Sequence, residues 1–235
     1  MDISIIIPAY NERRRIGLTL EKSVAYLEES SWSYELLVVD DGSSDDTVAC
    51  VREFAREIPT IQCIENDRNH GKGYSIRRGV ERARGDYIGF MDADYKTDIA
   101  TIDAVVDCLQ EGCEGAIGDR TLSDSDILVE RRWYRAWGTK LFRGLLLRPF
   151  GLQEFGDTQC GFKFFKAEVM RDLFRRQRMD GYMFDVEILL LAMRAGYRVE
   201  KVAVRWQDDP DSRFNPVSGT IKDVIELVRI GWIHL

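Results

Sequence analysis

Short, mostly apolar runs rich in β-branched residues alternate with helical patterns through the first 120 residues of the 235-residue chain. We expect strands at Ile3–Ile7, Leu36–Val39, Ile61–Ile64 and Tyr87–Met91, with helices over residues 11–29, 45–56 and 73–83 between them. Strands without polar alternation are buried on both faces, and helices serve as the crossovers between parallel strands. The pattern therefore predicts an α/β fold with a mostly parallel sheet and helices on both faces.

Polar clusters follow three of these strands directly. Their sequences are PAYNE at Pro8–Glu12, DDGSSDD at Asp40–Asp46 and DAD at Asp92–Asp94. In parallel sheets ligands bind beyond the carboxyl ends of the strands. We therefore expect a ligand site at this edge of the sheet.

The second half of the chain has a different pattern. We expect a basic, aromatic helix over residues 131–147, a strand near Gly161–Lys166 with two helices after it, a strand at Val199–Val204 and an amphipathic terminal helix at Gly219–Trp232. No linker rich in Pro, Gly or Ser interrupts the sequence. This predicts one domain over residues 1–235, in which residues 1–120 bind one substrate and residues 121–235 shape the other.

Composition excludes several classes of protein. With Lys+Arg 33 and Asp+Glu 40 the net charge is −7, which argues against nucleic-acid binding through bulk charge. No apolar run approaches the roughly 20 residues of a membrane-spanning helix, and the N-terminus lacks the pattern of a signal peptide. Two histidines and five cysteines without a CxxC pair disfavour zinc sites and disulfides. We expect a cytoplasmic enzyme or binding protein.

Asp92 and Asp94 give the sharpest functional signal. Two carboxylates one residue apart, directly after a buried strand, can bind a hard divalent cation and an adjacent hydroxyl together. The alternative is a solvated turn, because D-x-D is common in loops. We favour a Mg²⁺ or Mn²⁺ site.

Asp40 and Asp41 end the second expected strand. Gly42 suits a turn and Ser44 or Asp45 suits the start of a helix, so the rest of this cluster has a structural explanation. Capping does not account for the two acids, and an acid at a strand end can accept from a ribose hydroxyl or a base N–H. We expect both to bind a nucleotide.

The segment Pro8–Glu12 admits two interpretations. It can be a turn with a helix cap at Asn11, or a nucleobase slot in which Tyr10 packs on the ring and Glu12 accepts a hydrogen bond.

The segment Asn69–Gly73 precedes the third helix. Its two glycines allow close approach of an anion to the backbone, and a helix N-terminus favours negative charge. Because Ile76 stands where G-x-G-x-x-G needs its last glycine, a dinucleotide-binding motif is disfavoured. We expect contact with a diphosphate.

The expected helix at 131–147 mixes tryptophan, leucine and arginine in an otherwise acidic protein. Its cations extend to Arg148 and comprise Arg131, Arg132, Arg135, Lys140, Arg143 and Arg148. A solvated surface helix would also show this pattern, but helices at membrane interfaces have this composition. We favour contact with a membrane surface or an anionic lipid head.

Three further acids lie among apolar residues, at Asp157, Asp185 and Glu187. A buried acid needs a partner, or its pKa rises and it becomes a candidate base.

Taken together, Pro8–Glu12, Asp40–Ser43, Asn69–Gly73, Asp92–Asp94 and Asp157–Lys163 resemble the family 2 glycosyltransferases of GT-A fold, in order and spacing. The resemblance runs from residue 3 to about residue 207. Within the family it is greatest to dolichyl-phosphate β-glucosyltransferases and their bacterial polyprenyl-phosphate relatives, because of the Asn-x-Gly-Lys-Gly loop and the DTQCGFK sequence. Dolichyl-phosphate mannose synthases look similar but usually differ around DTQCGFK.

The resemblance implies a role for each matching residue. Pro8, Tyr10 and Glu12 would border the nucleobase, Asp40 and Asp41 would bind base or ribose, and Lys72 would lie near the nucleotide. Asp92 and Asp94 would handle ribose and metal, with Asp94 taking part in catalysis. Arg120, Arg131 or Arg132 would hold substrate phosphates, and Asp185 and Glu187 fall where relatives keep an acceptor-side acid.

Two departures from the family pattern stand out. Some relatives use a Gln two residues after D-x-D on the metal, whereas Lys96 here cannot ligate while protonated. A Ser-Lys pair is common near the end, and Ser212-Arg213 retains the cation there, which adds Arg213 to the expected acceptor-phosphate residues. Many relatives also carry C-terminal membrane helices, so without one we expect peripheral attachment at the cytoplasmic membrane face.

The resemblance implies inverting transfer of glucose from UDP-glucose to a polyprenyl or dolichyl phosphate. Three alternatives stay open: a polyprenyl-phosphate mannosyltransferase that uses GDP-mannose, a transferase that extends a polysaccharide with Asp185 or Glu187 as base, and a non-catalytic sensor of nucleotide sugars.

Overall fold

The structure, a computed structural model, describes residues 1–127, 150–207 and 216–234, without the side chains of residues 216–221. The strands are β1 Ile3–Ala9, β2 Tyr34–Asp40, β3 Ile61–Glu65, β4 Tyr87–Met91, β5 Gly115–Asp119, β6 Asp126–Ile127, β7 Phe162–Lys166, β8 Val199–Ala203 and β9 Arg205–Trp206. The helices are α1 Ile16–Glu29, α2 Thr47–Glu57, α3 Lys72–Arg82, α4 Thr101–Gln110, α5 Ala167–Arg176, α6 Phe184–Ala195 and α7 Pro216–His234.

A central sheet joins the two halves of the chain in the strand order β3-β2-β1-β4-β7-β5-β8. Neighbouring strands are parallel except around β7, which is antiparallel to both β4 and β5. Successive residues of a strand point to opposite faces, and both faces are covered: Leu37 and Val39 pack in one buried cluster, Leu36 and Val38 in the other. The predicted mostly parallel α/β fold is confirmed.

The reversed direction of β7 has a consequence for function. Met91, the last residue of β4, pairs with Phe162, the first residue of β7. Since β1, β2 and β4 end at this edge of the sheet, the residues that precede β7 arrive where the parallel strands stop. Residues 157–161 therefore lie beside Asp92, although the two segments are far apart in sequence.

The elements differ from the expected ones at several points, of which two bear on the site. Helix α1 begins at Ile16 and not at residue 11, because Asn11 adopts a left-handed backbone (φ 56°) and the side-chain oxygen of Asn11 accepts from the amides of Ser44 (2.8 Å) and Asp45 (3.3 Å). Asn11 thus supports the loop before α2 and does not cap α1. Helix α4 and strand β5 have no counterpart in the sequence-based assignment, and the expected helix over 131–147 lies outside the described residues.

The terminal helix α7 packs against the start of α6. Leu227 and Ile230 are buried in the core. The Met183 amide donates to Glu226 Oε2 (3.0 Å), and Nε2 of His234 lies 2.6 Å from Glu187 Oε1. No helix within the described residues is long and apolar enough to cross a membrane.

We predict that Asp223→Asn stabilises the protein in a pH-dependent way. Burial, and then the neighbouring Glu226, raises the pKa of Asp223 from 3.8 to about 6. The folded state therefore binds this proton more tightly than the unfolded state, so stability falls as the pH rises through about 6. The melting temperature of the variant should exceed that of the wild type at roughly pH 8 and match it at roughly pH 4.

Asp107→Asn, on the exposed face of α4, is the matched control. An equal difference between Asp223→Asn and the wild type at both pH values would contradict the prediction.

Candidate active site

Asp92 and Lys72 form the central contact at the ligand edge of the sheet. Asp92 follows β4, Lys72 opens α3, and Lys72 Nζ lies 2.5 Å from Asp92 Oδ1. Burial works to raise the pKa of Asp92, but the Lys72 ammonium, together with Lys163 and Lys96, holds that pKa below its usual value. Burial likewise works to lower the pKa of Lys72, and Asp92 and then Asp185 reverse this, so both groups are charged.

Gly161 makes room for the Asp92 carboxylate. A Cβ at position 161 would overlap the carboxyl group of Asp92, and the Asp92 amide donates to the Gly161 carbonyl at 3.1 Å. The glycine of the DTQCGFK sequence is therefore needed for close approach of a side chain rather than for a turn.

Asp94 is surrounded by cations. Lys96 Nζ lies 3.0 Å and Arg15 Nη1 3.7 Å from Asp94 Oδ2. Arg15 also forms a two-pronged ion pair with Glu12, with both N–O distances at 2.6 Å. Glu12, expected at the nucleobase, thus lies in a chain of charges that leads to Asp94.

The donor atoms at this edge fit a divalent metal ion. Asp92 and Asp94 present carboxylate oxygens, and Mg²⁺ usually takes one or two carboxylates and completes its shell with water and substrate phosphates. In the described residues no set of three or more His, Cys, Asp or Glu side chains could hold an ion by themselves. Asp92 and Asp94 would hold such an ion, and the ion would supply positive charge to a bound phosphate group.

Asp40 has a buried oxygen that lacks a partner. Asp40 is 2% exposed, its Oδ2 accepts from the Ser43 amide at 2.9 Å, and its Oδ1 has no hydrogen-bond partner among the described residues. A buried acceptor left unpaired is costly and calls for an explanation. A donor N–H or hydroxyl from a bound nucleotide would satisfy it, as expected of this residue.

Asp41 is satisfied within the protein. Its carboxylate accepts from the side-chain amide of Asn66 (2.8 Å) and from the backbone amides of His70 (3.0 Å) and Gly71 (2.8 Å). These bonds fix the loop that presents Lys72, so the structure places Asp41 as a support of the site rather than at its surface.

The amides of the Gly-Lys-Gly loop are also used internally. The amides of Gly73 and Tyr74 donate to the Asp180 carbonyl, at 2.8 and 3.3 Å. These two amides are therefore not available to a diphosphate, which corrects the expectation of contact through the backbone of this helix N-terminus. The charged group that the loop presents at this edge is the Lys72 side chain. Tyr10, at 46% exposure, and the partly exposed Pro8 border the same edge.

Arg120 is anchored by Asp157. The guanidinium donates to both carboxylate oxygens, from Nε to Oδ2 and from Nη2 to Oδ1 at 2.8 Å, and it lies over the Trp206 ring at 5.3 Å. Burial would lower the pKa of Arg120, but Asp157 outweighs burial and raises it. A charged arginine with a fixed plane suits binding of a phosphate.

Asp185 lies in the first turn of α6 and contacts a buried lysine. It is 3% exposed, and its Oδ1 accepts from Lys163 Nζ at 2.6 Å. Burial raises the pKa of Asp185, with Lys163 and then Lys72 acting against it.

Glu187 does not join these residues. It is fully buried, and its carboxylate accepts from the amides of Arg178 and Met179, both at 2.8 Å, besides the contact with His234. The Glu187 side chain connects the loop after α5 to α7, and this is a structural role. None of these contacts supports the expected role of Glu187 as an acid beside the acceptor.

Three expected acceptor residues, Arg131, Arg132 and Arg213, lie outside the described residues. Two contributors were missed by the sequence analysis, Arg15 as a cation beside Asp94 and Lys163 as a charge beneath Asp185. Lys163 is part of the DTQCGFK sequence. A lysine between two phenylalanines in a strand expected to be buried indicates a buried charge that needs a partner.

An acid-rich edge of a mostly parallel sheet, with an arginine and a lysine facing it, is an arrangement suited to an activated sugar diphosphate. A sequence model of the family described as "Glycosyl transferase family 2" matches residues 4–174. The chain belongs to this family, and its fold is the GT-A fold.

Named relatives agree with this assignment. A dolichyl-phosphate beta-glucosyltransferase of Dictyostelium discoideum is 32% identical, covering 99% of this chain and 75% of that protein. One of Drosophila melanogaster is 34% identical, over 92% and 70%. Among solved structures, glucosyl-3-phosphoglycerate synthase of Mycobacterium tuberculosis, in complex with Mn²⁺, UDP-glucose and phosphoglyceric acid, superposes with a TM-score of 0.72 at 20% identity, over 97% of this chain and 78% of that one.

We predict that Gly161→Ala weakens binding of UDP with Mn²⁺ and leaves the fold intact. The new methyl group would overlap the carboxyl group of Asp92 and displace it from its present position. Calorimetry should show a loss of affinity of about tenfold or more, the size expected when a group that orients a metal ligand is lost.

Gly17→Ala in α1 is the control, because its Cβ meets only ordinary contacts at 3.7 and 3.8 Å. Unchanged affinity in Gly161→Ala would show that the position of Asp92 does not matter for the nucleotide.

Proposed function

We propose that this protein transfers glucose from UDP-glucose to a dolichyl or polyprenyl phosphate, with inversion at the anomeric carbon and with Mg²⁺ or Mn²⁺. The observation that carries the proposal is the likeness to dolichyl-phosphate beta-glucosyltransferases along nearly the whole chain. Residues 1–120 would bind the nucleotide sugar, and residues 121–235 would bind the acceptor.

The described residues supply the donor site. The unpaired Oδ1 of Asp40 would accept from the nucleotide, Tyr10 and Pro8 would border the base, and Asp92 would meet ribose or metal. A divalent ion bound at Asp92 and Asp94 would neutralise the diphosphate as it leaves, where charge grows in the transition state. Lys72, released from Asp92, would then face the same diphosphate.

A phosphate acceptor agrees with the arrangement of acids and bases. A phosphate monoester, with a second pKa near 6, is mostly dianionic at pH 7 and needs no base to deprotonate it. It needs cations to place it, and Arg120 is fixed for this by Asp157 and Trp206. Arg131, Arg132 and Arg213 are proposed to assist.

A second candidate is transfer to a sugar hydroxyl, with Asp185 as general base. The raised pKa of Asp185 favours it. Against it, protonation of Asp185 would leave the buried Lys163 ammonium without the carboxylate that it contacts, which is costly.

An assay with purified protein tests the proposal. UDP-glucose and GDP-mannose are each combined with polyprenyl phosphate or with a polysaccharide primer, with and without Mn²⁺. Glucosyl lipid formed only with UDP-glucose and metal supports the proposal. Mannosyl lipid, an extended polysaccharide, or no transfer at all would each replace it with one of the alternatives.

We predict that two carboxylate substitutions lower kcat, measured at saturating donor, by very different amounts. Asp94→Asn should lower kcat by about 10² or more, the loss typical when one stabilising contact to developing charge is removed. Asp185→Asn should lower kcat by much less than the ~10² to 10⁴ that a missing general base costs. A larger loss in Asp185→Asn than in Asp94→Asn would favour the sugar acceptor.

We further propose that α7 rests on the bilayer that holds the lipid acceptor. Its exposed side chains include Ile225, Val228 and Trp232, the last 90% exposed, and the exposed charged residues beside them are Lys222 and Arg229. An apolar stripe with cations suits the surface of an anionic membrane. Glu226 faces inward to Met183, next to the partly exposed Lys72 loop.

Trp232→Ser with Ile225→Ser should weaken binding to phosphatidylglycerol vesicles about tenfold or more, because each fully buried apolar side chain contributes about 1.5–3 kcal/mol. Leu18→Ser, also an exposed apolar residue (51%) but on α1, is the control in the same flotation assay. Equal binding of all three proteins would exclude α7 as the contact.

A further inference from the structure

A cavity between α3 and α5 is separate from the candidate active site. Its volume is about 710 Å³, and Asp92, Asp94 and Arg120 are not among the residues that line it. Val80 and Phe174, both buried in the core, form its apolar wall. The two helices and the loop after α5 contribute its cations, which are Arg77, Arg171, Arg175 and Arg178. We call this cavity the arginine groove.

The arginine groove is positively charged although the protein is acidic. The acids that line it are Asp180, which pairs with Arg77 at 2.8 Å, and the exposed Glu81. Arg175 pairs with Asp172 at 2.7 Å, but its side chain is 79% exposed. Four arginines against two lining acids give the groove a net positive charge, in a chain whose net charge is −7.

Two of these guanidinium groups retain unused donors. Arg171 Nη2 donates to the Ala83 carbonyl at 3.0 Å. Arg178 Nη1 donates to the carbonyls of Gln177 (3.0 Å) and Arg175 (3.3 Å). Both arginines are exposed, and in the part of the chain that the structure describes these contacts are to carbonyls and not to carboxylates. Since a guanidinium has five N–H donors in a planar fork that matches phosphate, the groove is suited to phosphate groups.

The arginine groove adjoins the end of α7. Glu187 accepts from the Arg178 amide at 2.8 Å, and the same Oε1 lies 2.6 Å from Nε2 of His234, in the last turn of α7. Trp232 and Ile233, which precede His234, are 90% and 41% exposed. Helices α3, α5 and α7 pack in one buried cluster, on the same face of the sheet. Basic and apolar side chains therefore lie side by side on this face.

This combination distinguishes a lipid from a soluble phosphate compound. A soluble anion would need the arginines alone, and the exposed tryptophan and isoleucine beside them would have no role. At the surface of an anionic membrane, cations bind the headgroups while tryptophan and aliphatic side chains enter the layer beneath.

We propose that the arginine groove binds the phosphate groups of anionic membrane lipids. The inference deepens the proposed function, because it adds a lipid-binding site to the proposed contact of α7 with the bilayer. Helix α3 begins at Lys72 and also lines the groove. Lipid bound in the groove would therefore fix the orientation of the candidate active site relative to the membrane that holds the acceptor.

The test is binding to phosphatidylcholine vesicles with and without phosphatidylglycerol, measured by flotation for Arg175→Gln/Arg178→Gln. Both side chains are exposed, so the melting temperature should stay close to that of the wild type. Affinity for the vesicles with phosphatidylglycerol should fall about tenfold or more, the loss expected when two cations are removed from an anionic surface.

Arg52→Gln/Arg56→Gln is the matched control. It removes the same charge from exposed positions of α2, which packs on the opposite face of the sheet. This variant should bind the vesicles like the wild type. Equal losses in the two double variants would assign the effect to total charge, and wild-type binding by Arg175→Gln/Arg178→Gln would exclude the groove; either result overturns the inference.

Calorimetry with pyrophosphate tests the soluble alternative. Pyrophosphate binding that is lost in Arg175→Gln/Arg178→Gln, without any change in vesicle binding, would assign the groove to a soluble phosphate compound and overturn the inference. Neither measurement needs a nucleotide sugar, so both stand even if glucose transfer is not observed and the proposed function fails. Wild-type vesicle binding by Trp232→Ser/Ile225→Ser, together with a loss in the arginine variant, would exclude α7 and support the groove alone.

Discussion

Charge balance at one edge of the sheet is the constraint on which the site depends. The parallel strands β1, β2 and β4 deliver acids there, and the reversed strand β7 delivers more, so carboxylates gather in a small, partly buried space. Each of four such acids contacts a cation: Asp92 with Lys72, Asp94 with Lys96, Asp157 with Arg120, and Asp185 with Lys163. A metal-bound sugar diphosphate brings both signs of charge, so it can exchange partners with these pairs instead of adding uncompensated charge.

Most of the fold, and the edge of the sheet at which the candidate residues lie, could be predicted from the sequence. Buried parallel strands have a continuous apolar pattern, and their ends are marked by polar clusters, so the edge that carries Asp40, Asp92 and Asp94 follows from position alone. The direction of β7 could not be predicted in this way, because apolar runs look the same in either direction. That reversal is what brings Gly161 and Asp157 to Asp92 and Arg120.

The remaining residues were beyond sequence reasoning because their roles depend on hydrogen-bond partners that are distant in the chain. Asp41 and Asp40 are adjacent and of one type. In the part of the chain that the structure describes, Asp41 accepts from three donors, whereas one oxygen of Asp40 has no hydrogen-bond partner. Asp185 and Glu187 share one helical turn, yet one contacts a lysine and the other two backbone amides. A pattern reports that an acid is buried among apolar residues, but not what satisfies it.

The contacts of Asp185 bear on the choice between the two proposed acceptors. A general base must gain a proton in the reaction. If the base is a carboxylate paired with a buried ammonium, protonation leaves that ammonium without its counter-charge. Asp185 stands in this position, with Lys163 in contact and Lys72 nearby. A phosphate dianion removes the conflict, because it attacks without giving up a proton. The contact with Lys163 opposes the burial that raises the pKa of Asp185, and it is in keeping with the proposed phosphate acceptor, which needs no base.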